Sequence, residues 1–351
     1  MLASRRDVCW GLAGAGLSLA SAAGCAGVGR APQMDPLALV DPELRAAAAQ
    51  QASGPRPPPM SVEALPRLRA MWVAPDTMPP PAPSVETRTI PGRTNDPDVS
   101  VQVIGVRDAG RLRPAIVHMH GGGYVSGRAQ NATVFCQRAS AELDCVIVNV
   151  DYRLSPETPF PGPMEDNYAA LKWLHRNAEA LGVDRTKVAV MGESAGGGHA
   201  AILAIAARDR GEAPVAYQVL IYPMLDDRTG STRRVPAHIG ALGWNEAANR
   251  FGWSAFLGMP AGAASPPSGA VPSRLDNLAG LPPAFIGVGS IDLFVDESME
   301  YARRLVDAGV PTQLHVTPGA FHAFDWVVPE ARVSKEFTAA WKSALAAAFA
   351  A

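Results

Sequence analysis

Val188-Ala189-Val190-Met191-Gly192-Glu193-Ser194-Ala195-Gly196-Gly197-Gly198 is the stretch on which the reading of this chain turns. Val188–Met191 is a short apolar run with the character of a buried strand, and Gly192–Gly196 fits the pattern G-x-S-x-G. The glycines that follow open an alanine-rich stretch that predicts a helix from about His199 to Arg208. A serine on so tight a strand-to-helix turn projects its hydroxyl away from the sheet, while the glycines let the backbone bend and pack closely. The helix start beyond it offers unpaired N–H groups and a positive dipole end to a developing anion. Ser194 is therefore a candidate nucleophile, the alternative being an inert Gly/Ser-rich turn.

Outward from this turn, apolar runs alternate with helix-length segments. Val101–Val106 alternates like an edge strand, while Ala115–Met119 and Cys145–Val150 are continuous and buried in character. Further buried strands are expected at Tyr217–Tyr222, Ala284–Gly289 and Gln313–Val316. Helices are expected at about Ala132–Leu143, Met164–Leu181, Ala195–Arg208, Glu297–Ala308 and Glu330–Phe349. This rhythm implies an α/β fold whose mostly parallel sheet is covered on both faces. The irregular stretch from Asp226 to Leu281 interrupts it and reads as an insertion that forms a lid or substrate-binding region.

At 351 residues the chain suits one large α/β domain, and its formal net charge of -2, with basic residues scattered, argues against a nucleic-acid partner. Ser4-Arg5-Arg6 precedes an apolar small-residue run from about Trp10 to Ala23, ending in Ala22-Ala23-Gly24-Cys25. Residues 1–25 thus read as an export signal, too short in its apolar part to span a bilayer comfortably. The paired arginines resemble a twin-arginine signal, and Cys25 resembles a lipobox cysteine, with Ala22 where leucine is usual. The expectation is an exported protein of the periplasm or cell envelope, with Cys25 a candidate lipid anchor to the membrane; a cytoplasmic protein is the alternative. Of the four cysteines, Cys9 would leave with the signal, while Cys136 and Cys145 read as two buried thiols rather than a disulfide. Spacing for a metal site is absent.

A serine hydroxyl needs a base to take its proton, and the base needs an orienting acid. Downstream, the strand Ala284–Gly289 ends in Ser290-Ile291-Asp292, and the strand Gln313–Val316 leads to Pro318-Gly319-Ala320-Phe321-His322. Both fall just past strand C-termini, where open α/β sheets place their sites. His322 is the candidate base and Asp292 the candidate acid, with Asp296 four residues on as a rival or a helix cap. Upstream, His120-Gly121-Gly122-Gly123 follows the strand Ala115–Met119, and unshielded glycine N–H groups suit an oxyanion. The N–H groups of Gly121, Gly122 and Ala195 are the candidate oxyanion hole.

Taken with Asp151-Tyr152-Arg153-Leu154-Ser155-Pro156-Glu157, Asp292–Glu297 and Gly319–Phe324, these blocks resemble the hormone-sensitive-lipase-like esterases, the bacterial family IV carboxylesterases, over roughly residues 60–345. The resemblance implies an α/β-hydrolase fold with an eight-stranded sheet and a small helical cap built from the N-terminal segment and the insertion after Tyr222. Residues 26–85 would be linker and N-terminal cap, with short helices near Pro42–Gln51 and Ser61–Met71, and residues 86–351 the catalytic domain with an insertion at about 226–281. One departure is that Glu193 stands where the family often has Asp.

The expected activity is a serine carboxylesterase on short to medium acyl esters of small molecules, needing no cofactor, in a monomer or homodimer. A deacetylase of acetylated sugars or xenobiotics is the runner-up within enzymes. A non-catalytic ligand-binding receptor on the same fold is the alternative of another class, disfavoured because His322 is present. Asp151, Tyr152 and Arg153 read as scaffold, Glu193 as a hydrogen-bonding partner of nearby backbone, and His118 and His199 as packed side chains. Trp244, Phe251, Trp253 and Phe256 either line an acyl pocket or fill the core. Asn131-Ala132-Thr133 fits a glycosylation pattern, of little meaning if the signal is bacterial.

Overall fold

The structure is a computed structural model that describes residues 35–54, 59–71, 78, 79 and 82–351. Residues 1–25, with Cys9 and Cys25, lie outside the described residues. In chain order the elements are α1 (Arg45–Ser53), α2 (Leu65–Ala70), β1 (Val85–Ile90), β2 (Val99–Ile104), β3 (Arg113–Met119), α3 (Thr133–Leu143), β4 (Val146–Asp151) and α4 (Gly162–Arg176). They continue as β5 (Val183–Glu193), α5 (Ala195–Arg210), β6 (Tyr217–Ile221), α6 (Glu246–Leu257), β7 (Ala284–Gly289), α7 (Val295–Asp307), β8 (Thr312–Thr317), α8 (Phe324–Val327) and α9 (Arg332–Ala350). The strands form one eight-stranded sheet in the order β1-β2-β4-β3-β5-β6-β7-β8. β1 and β2 run antiparallel to their neighbours, and every pairing from β4 to β8 is parallel. This is the α/β-hydrolase architecture.

Alternation along the strands builds two cores. Val117, Met119, Val148, Val150, Val188 and Val190 face one apolar layer, filled by Leu171 and Leu174 of α4, Ile202 and Ile205 of α5, and Leu305 of α7. Ile116, Ile147, Ala189 and Met191, the residues between them, face the other, filled by Cys136 of α3 and Phe337, Trp341 and Leu345 of α9. Strands buried on both faces read as continuous apolar runs, which is why β3 to β7 stand out in the sequence. β1 does not, because its Glu86, Thr87, Arg88 and Thr89 keep an outer edge polar. Cys136 and Cys145 are both free and buried. Among the described residues no helix is long and apolar enough to cross a membrane.

The insertion after β6 carries α6 and is tied down by buried acids. Asp226 holds Arg228 and Arg233, and Asp227 joins Arg274 to the N–H of Gly262 at 2.9 Å, closing the two ends of the segment on each other. From the N-terminal side, Val40, Leu44 and Ala48 pack into the second core, and the Asp41 N–H donates to the Gly319 carbonyl at 3.0 Å. α2 is clamped by Arg69, which pairs with both carboxylate oxygens of Glu157 at 2.8 Å and donates to the carbonyls of Val125 and Ser155.

The tightest packing lies where α5 meets the end of β3. A Cβ on Gly196 would stand 2.0 Å from the Met119 carbonyl oxygen and 2.7 Å from that of His120. One on Gly192 would stand 2.4 Å from the Gly196 carbonyl carbon. These neighbours are main chain and cannot turn aside. Gly196→Ala should therefore destabilise the fold by about 1–3 kcal/mol or more, read as a lowered urea midpoint at unchanged slope; a midpoint equal to wild type would show that β3 and α5 can separate freely.

Candidate active site

β5 ends at Glu193 and α5 begins at Ala195, so Ser194 takes the whole turn alone, at φ 58° and ψ −119°. That backbone is strained for a residue with a Cβ and costs about 1–3 kcal/mol. Three main-chain hydrogen bonds hold it: the Ser194 N–H donates to Ile221, and its carbonyl accepts from Gly198 and Met224. The side chain is thereby lifted off the sheet edge.

His322 lies five residues past β8, on the loop that enters α8. Its Nε2 is 2.9 Å from Ser194 Oγ, and its Nδ1 is 2.8 Å from Asp292 Oδ2. The second oxygen of Asp292 accepts the Phe294 N–H at 2.9 Å, which fixes the carboxylate just past β7. The edges of Tyr222 and Phe294 flank the imidazole at 4.9 and 5.2 Å, and Asp292 is fully buried while Ser194 and His322 keep slight exposure. Asp296, the rival acid, instead points to the surface and pairs with Arg233 at 3.2 Å.

The glycine loop after β3 sits over the serine. A Cβ on Gly121 would be 3.5 Å from Ser194 Cβ, so the loop backbone approaches the hydroxyl closely. Gly122 has φ 127°, and a Cβ there would strike the Ser126 carbonyl at 2.0 Å; only glycine fits. The N–H groups of Gly121 and Gly122 have no acceptor among the described residues, and Ala195 opens α5, where the first N–H groups are free. The structure thus gathers the three predicted donors around the Ser194 turn.

Beneath the loop lies a run of buried histidines whose charge states differ for physical reasons. His120 Nδ1 donates to the Gly121 carbonyl at 2.7 Å, and its ring stacks on Tyr152 at 4.2 Å. The Tyr152 hydroxyl in turn donates to the His120 carbonyl at 2.6 Å. Burial pushes the His120 pKa down to about 4, so the ring is neutral. His199, enclosed by Tyr124, Tyr152 and Phe256, finds no hydrogen-bond partner for either nitrogen among the described residues, and burial takes its pKa down to about 3.

His118 is the exception: burial opposes its charge, but the facing Cys136 and Glu193 raise its pKa well above the ordinary value. Its Nε2 meets both Glu193 oxygens at 3.0–3.1 Å and its Nδ1 meets Asn149 Oδ1 at 2.9 Å. Asn149 spends its two amide hydrogens on Gln102 and the Ala129 carbonyl, so Oδ1 is an acceptor and both ring nitrogens of His118 donate. Glu193 therefore pairs with a strand histidine rather than with nearby backbone, a correction to the sequence reading. Asp151 accepts the Ala129 N–H and Arg153 grips Asp166, both away from the serine as scaffold.

Above Ser194 and His322 opens a cavity of about 500 Å³, bordered by Met60 and Leu68 from the N-terminal segment, Tyr222, Trp244 and Trp326. Of the four insertion aromatics, Trp244 borders this cavity and packs against Gly123, whereas Trp253 and Phe256 are core residues. Met60, Leu68, Tyr222 and Trp326 carried no sequence signal, because apolar residues that border a cavity look like those that fill a core. Asp325 is a further unread residue: it accepts the Tyr222 hydroxyl at 3.1 Å, and burial pushes its pKa up to about 7. Among the described residues no group of three His, Cys, Asp or Glu is arranged to hold a metal.

A family model described as alpha/beta hydrolase fold matches residues 116–325. The chain is 35% identical over 278 residues to carboxylesterase NlhH of Mycobacterium tuberculosis, covering 76% of this chain and 83% of that one. Against esterase LipI of the same organism it is 35% identical over 212 residues, covering 60% of this chain and 65% of LipI. Among solved structures, a bacterial heroin esterase superposes with a TM-score of 0.77 at 35% identity, over 90% of this chain and 99% of that one.

The neutral histidines make stability pH-dependent. An unfolded histidine takes up a proton near its ordinary pKa, whereas buried His199 resists until about 3, so stability is lost as pH falls below about 6.5. His199→Phe should remove this component. The loss of unfolding free energy between about pH 7 and pH 5 should shrink by roughly 2 kcal/mol in urea titrations; an unchanged loss would place the proton uptake elsewhere.

Proposed function

Since this chain belongs to the α/β-hydrolase fold family, in its hormone-sensitive-lipase-like branch of esterases, we propose that it is a serine carboxylesterase using Ser194, His322 and Asp292 on short to medium acyl esters. One observation carries the reading. Ser194 Oγ lies 2.9 Å from His322 Nε2, with Asp292 2.8 Å behind, at the base of a mostly apolar cavity and under backbone N–H groups that have no acceptor among the described residues.

In this mechanism Ser194 Oγ attacks the ester carbonyl carbon while His322 Nε2 takes its proton. Asp292 holds the Nδ1–H tautomer and stabilises the imidazolium that forms. Negative charge grows on the carbonyl oxygen and is met by the N–H groups of Gly121, Gly122 and Ala195, which are already in place and need no reorganisation. His322 returns its proton to the departing alcohol, leaving an acyl-serine. Water, deprotonated by the same histidine, then attacks the acyl-serine, and Ser194 recovers its proton as the acid leaves. No step requires a metal or organic cofactor. A cavity of about 500 Å³ is within the range that takes a small-molecule ester.

Ser194→Ala should lower kcat on p-nitrophenyl acetate or butyrate by about a thousandfold or more, with the urea midpoint little changed because the turn keeps its backbone conformation and main-chain hydrogen bonds. Wild type should be labelled stoichiometrically by a fluorophosphonate and the variant should not. Hydrolysis near wild type in the variant would sink the assignment.

Export of the protein, with residues 1–25 as its signal and Cys25 as acylation point, belongs to the same proposal. Intact-mass analysis of the protein from its native host should show loss of the segment before Cys25; a mature chain beginning at Met1 would refute it.

A further inference from the structure

Two cavities share a wall. The one over Ser194 ends against Asn131 and Trp326, and a second of about 660 Å³, bordered by α3 and α9, is bordered by the same two side chains. The second cavity takes its apolar border from Val134, Phe135 and Ala139 of α3, with Asp325 beside Trp326 as a polar member. Its charged residues largely neutralise one another, with Lys342 on Glu142 at 2.5 Å and Lys335 on Glu330 at 2.9 Å.

The wall is thin and lightly held. Trp326 belongs to α8, and its indole stacks on Phe135 at 5.6 Å with planes 29° apart. The residue is 45% exposed, and its indole N–H has no acceptor among the described residues. Removing the ring therefore takes no hydrogen-bond partner away from a buried polar group. It would open the site over Ser194 into a space at least as large as itself.

We propose that Trp326 is the partition that sets how long an apolar arm of the ester fits, and that the cavity between α3 and α9 is a latent subsite for the end of a longer arm. The proposal rests on the esterase reading. Each methylene that gains a packed surface improves kcat/KM several-fold, and each one refused by a wall loses as much. A short arm ends before the indole and is indifferent to it. A long arm must fold back on itself or displace the ring.

The test compares wild type with Trp326→Ala, Trp326→Phe and the double variant Trp326→Ala/Ala339→Trp. Ala339 is an exposed position on α9 that borders the second cavity, so a tryptophan there is placed to refill the space. Each protein is assayed on p-nitrophenyl esters from acetyl to dodecanoyl, and on acetate esters of alcohols from ethyl to decyl. The expected result is a rise of about tenfold or more in the long-to-short ratio of kcat/KM for Trp326→Ala, in whichever series extends toward the wall. Trp326→Phe should rise less, and the double variant should fall back toward wild type. A ratio within about twofold of wild type in both series overturns the proposal, as does a gain that survives the refilling tryptophan. Fluorophosphonate labelling separates the two failures: a wild-type protein that is not labelled at Ser194 defeats the esterase reading, whereas labelled variants with unchanged profiles defeat the partition alone.

Discussion

The near-contact between the first turn of α5 and the carbonyl end of β3 is the constraint from which the site follows. Main chain meets main chain there, so Gly192 and Gly196 can carry no side chain, and the strand must turn into the helix within one residue. That residue is Ser194, whose φ of 58° is the consequence of the turn rather than an independent feature. The same proximity brings His120–Gly122, the continuation of β3, over the start of α5. Candidate nucleophile and candidate oxyanion donors are thus brought together by one packing event. The strain of the turn, about 1–3 kcal/mol, is offset by the backbone hydrogen bonds of Ser194 and by the buried sheet on which it rests.

Parallel pairing extends that event to the rest of the site. β5, β6, β7 and β8 run side by side, so their C-terminal ends reach one edge of the sheet. Asp292 and His322 leave this edge on consecutive loops, and a residue just past β7 reaches one just past β8 without long side chains. The electrostatics are arranged to match. His120 and His199 are kept neutral by burial, while the one charged imidazole beneath the loop, His118, is matched by Glu193 and by Asn149. Breaking either half of such a buried pair strands the other charge, and the network that holds Asn149 continues to Gln102 Oε1, which also accepts from Thr133.

What could be read in the sequence divides along physical lines. Strands buried on both faces appear as unbroken apolar runs, and turns that demand glycine appear as glycine, so β3 to β7, the Ser194 turn and the Gly121–Gly122 loop were legible from composition alone. The order of Asp292 and His322 behind successive strands was legible too, because strand ends locate the sheet edge. β1 was not, since a polar edge strand has no apolar signature. The partner of Glu193 was hidden for a different reason. It lies on β3, where the register pairs His118 with Met191, and Glu193 shares a face with Met191 two residues on. Register is a property of two strands at once, and neither strand's sequence declares it.

The walls of the substrate cavity are the least legible part, and their origin explains why. Met60 and Leu68 come from the segment that Arg69 clamps to Glu157, Trp244 comes from the insertion, and Trp326 comes from the turn that carries His322. Trp244 stands just before α6, whose Trp253 and Phe256 pack inward instead. Chemistry and selectivity are therefore set by different constraints. The former is imposed by backbone geometry that admits few residue types, and the latter by side chains that meet only in three dimensions. Trp326 stands at the junction of the two: its backbone continues the loop that positions the base, and its ring closes the space into which the substrate extends. Because the indole stacks on Phe135 while the backbone of the turn is held separately by hydrogen bonds to Ala323, ring size can change at this position without removing those bonds.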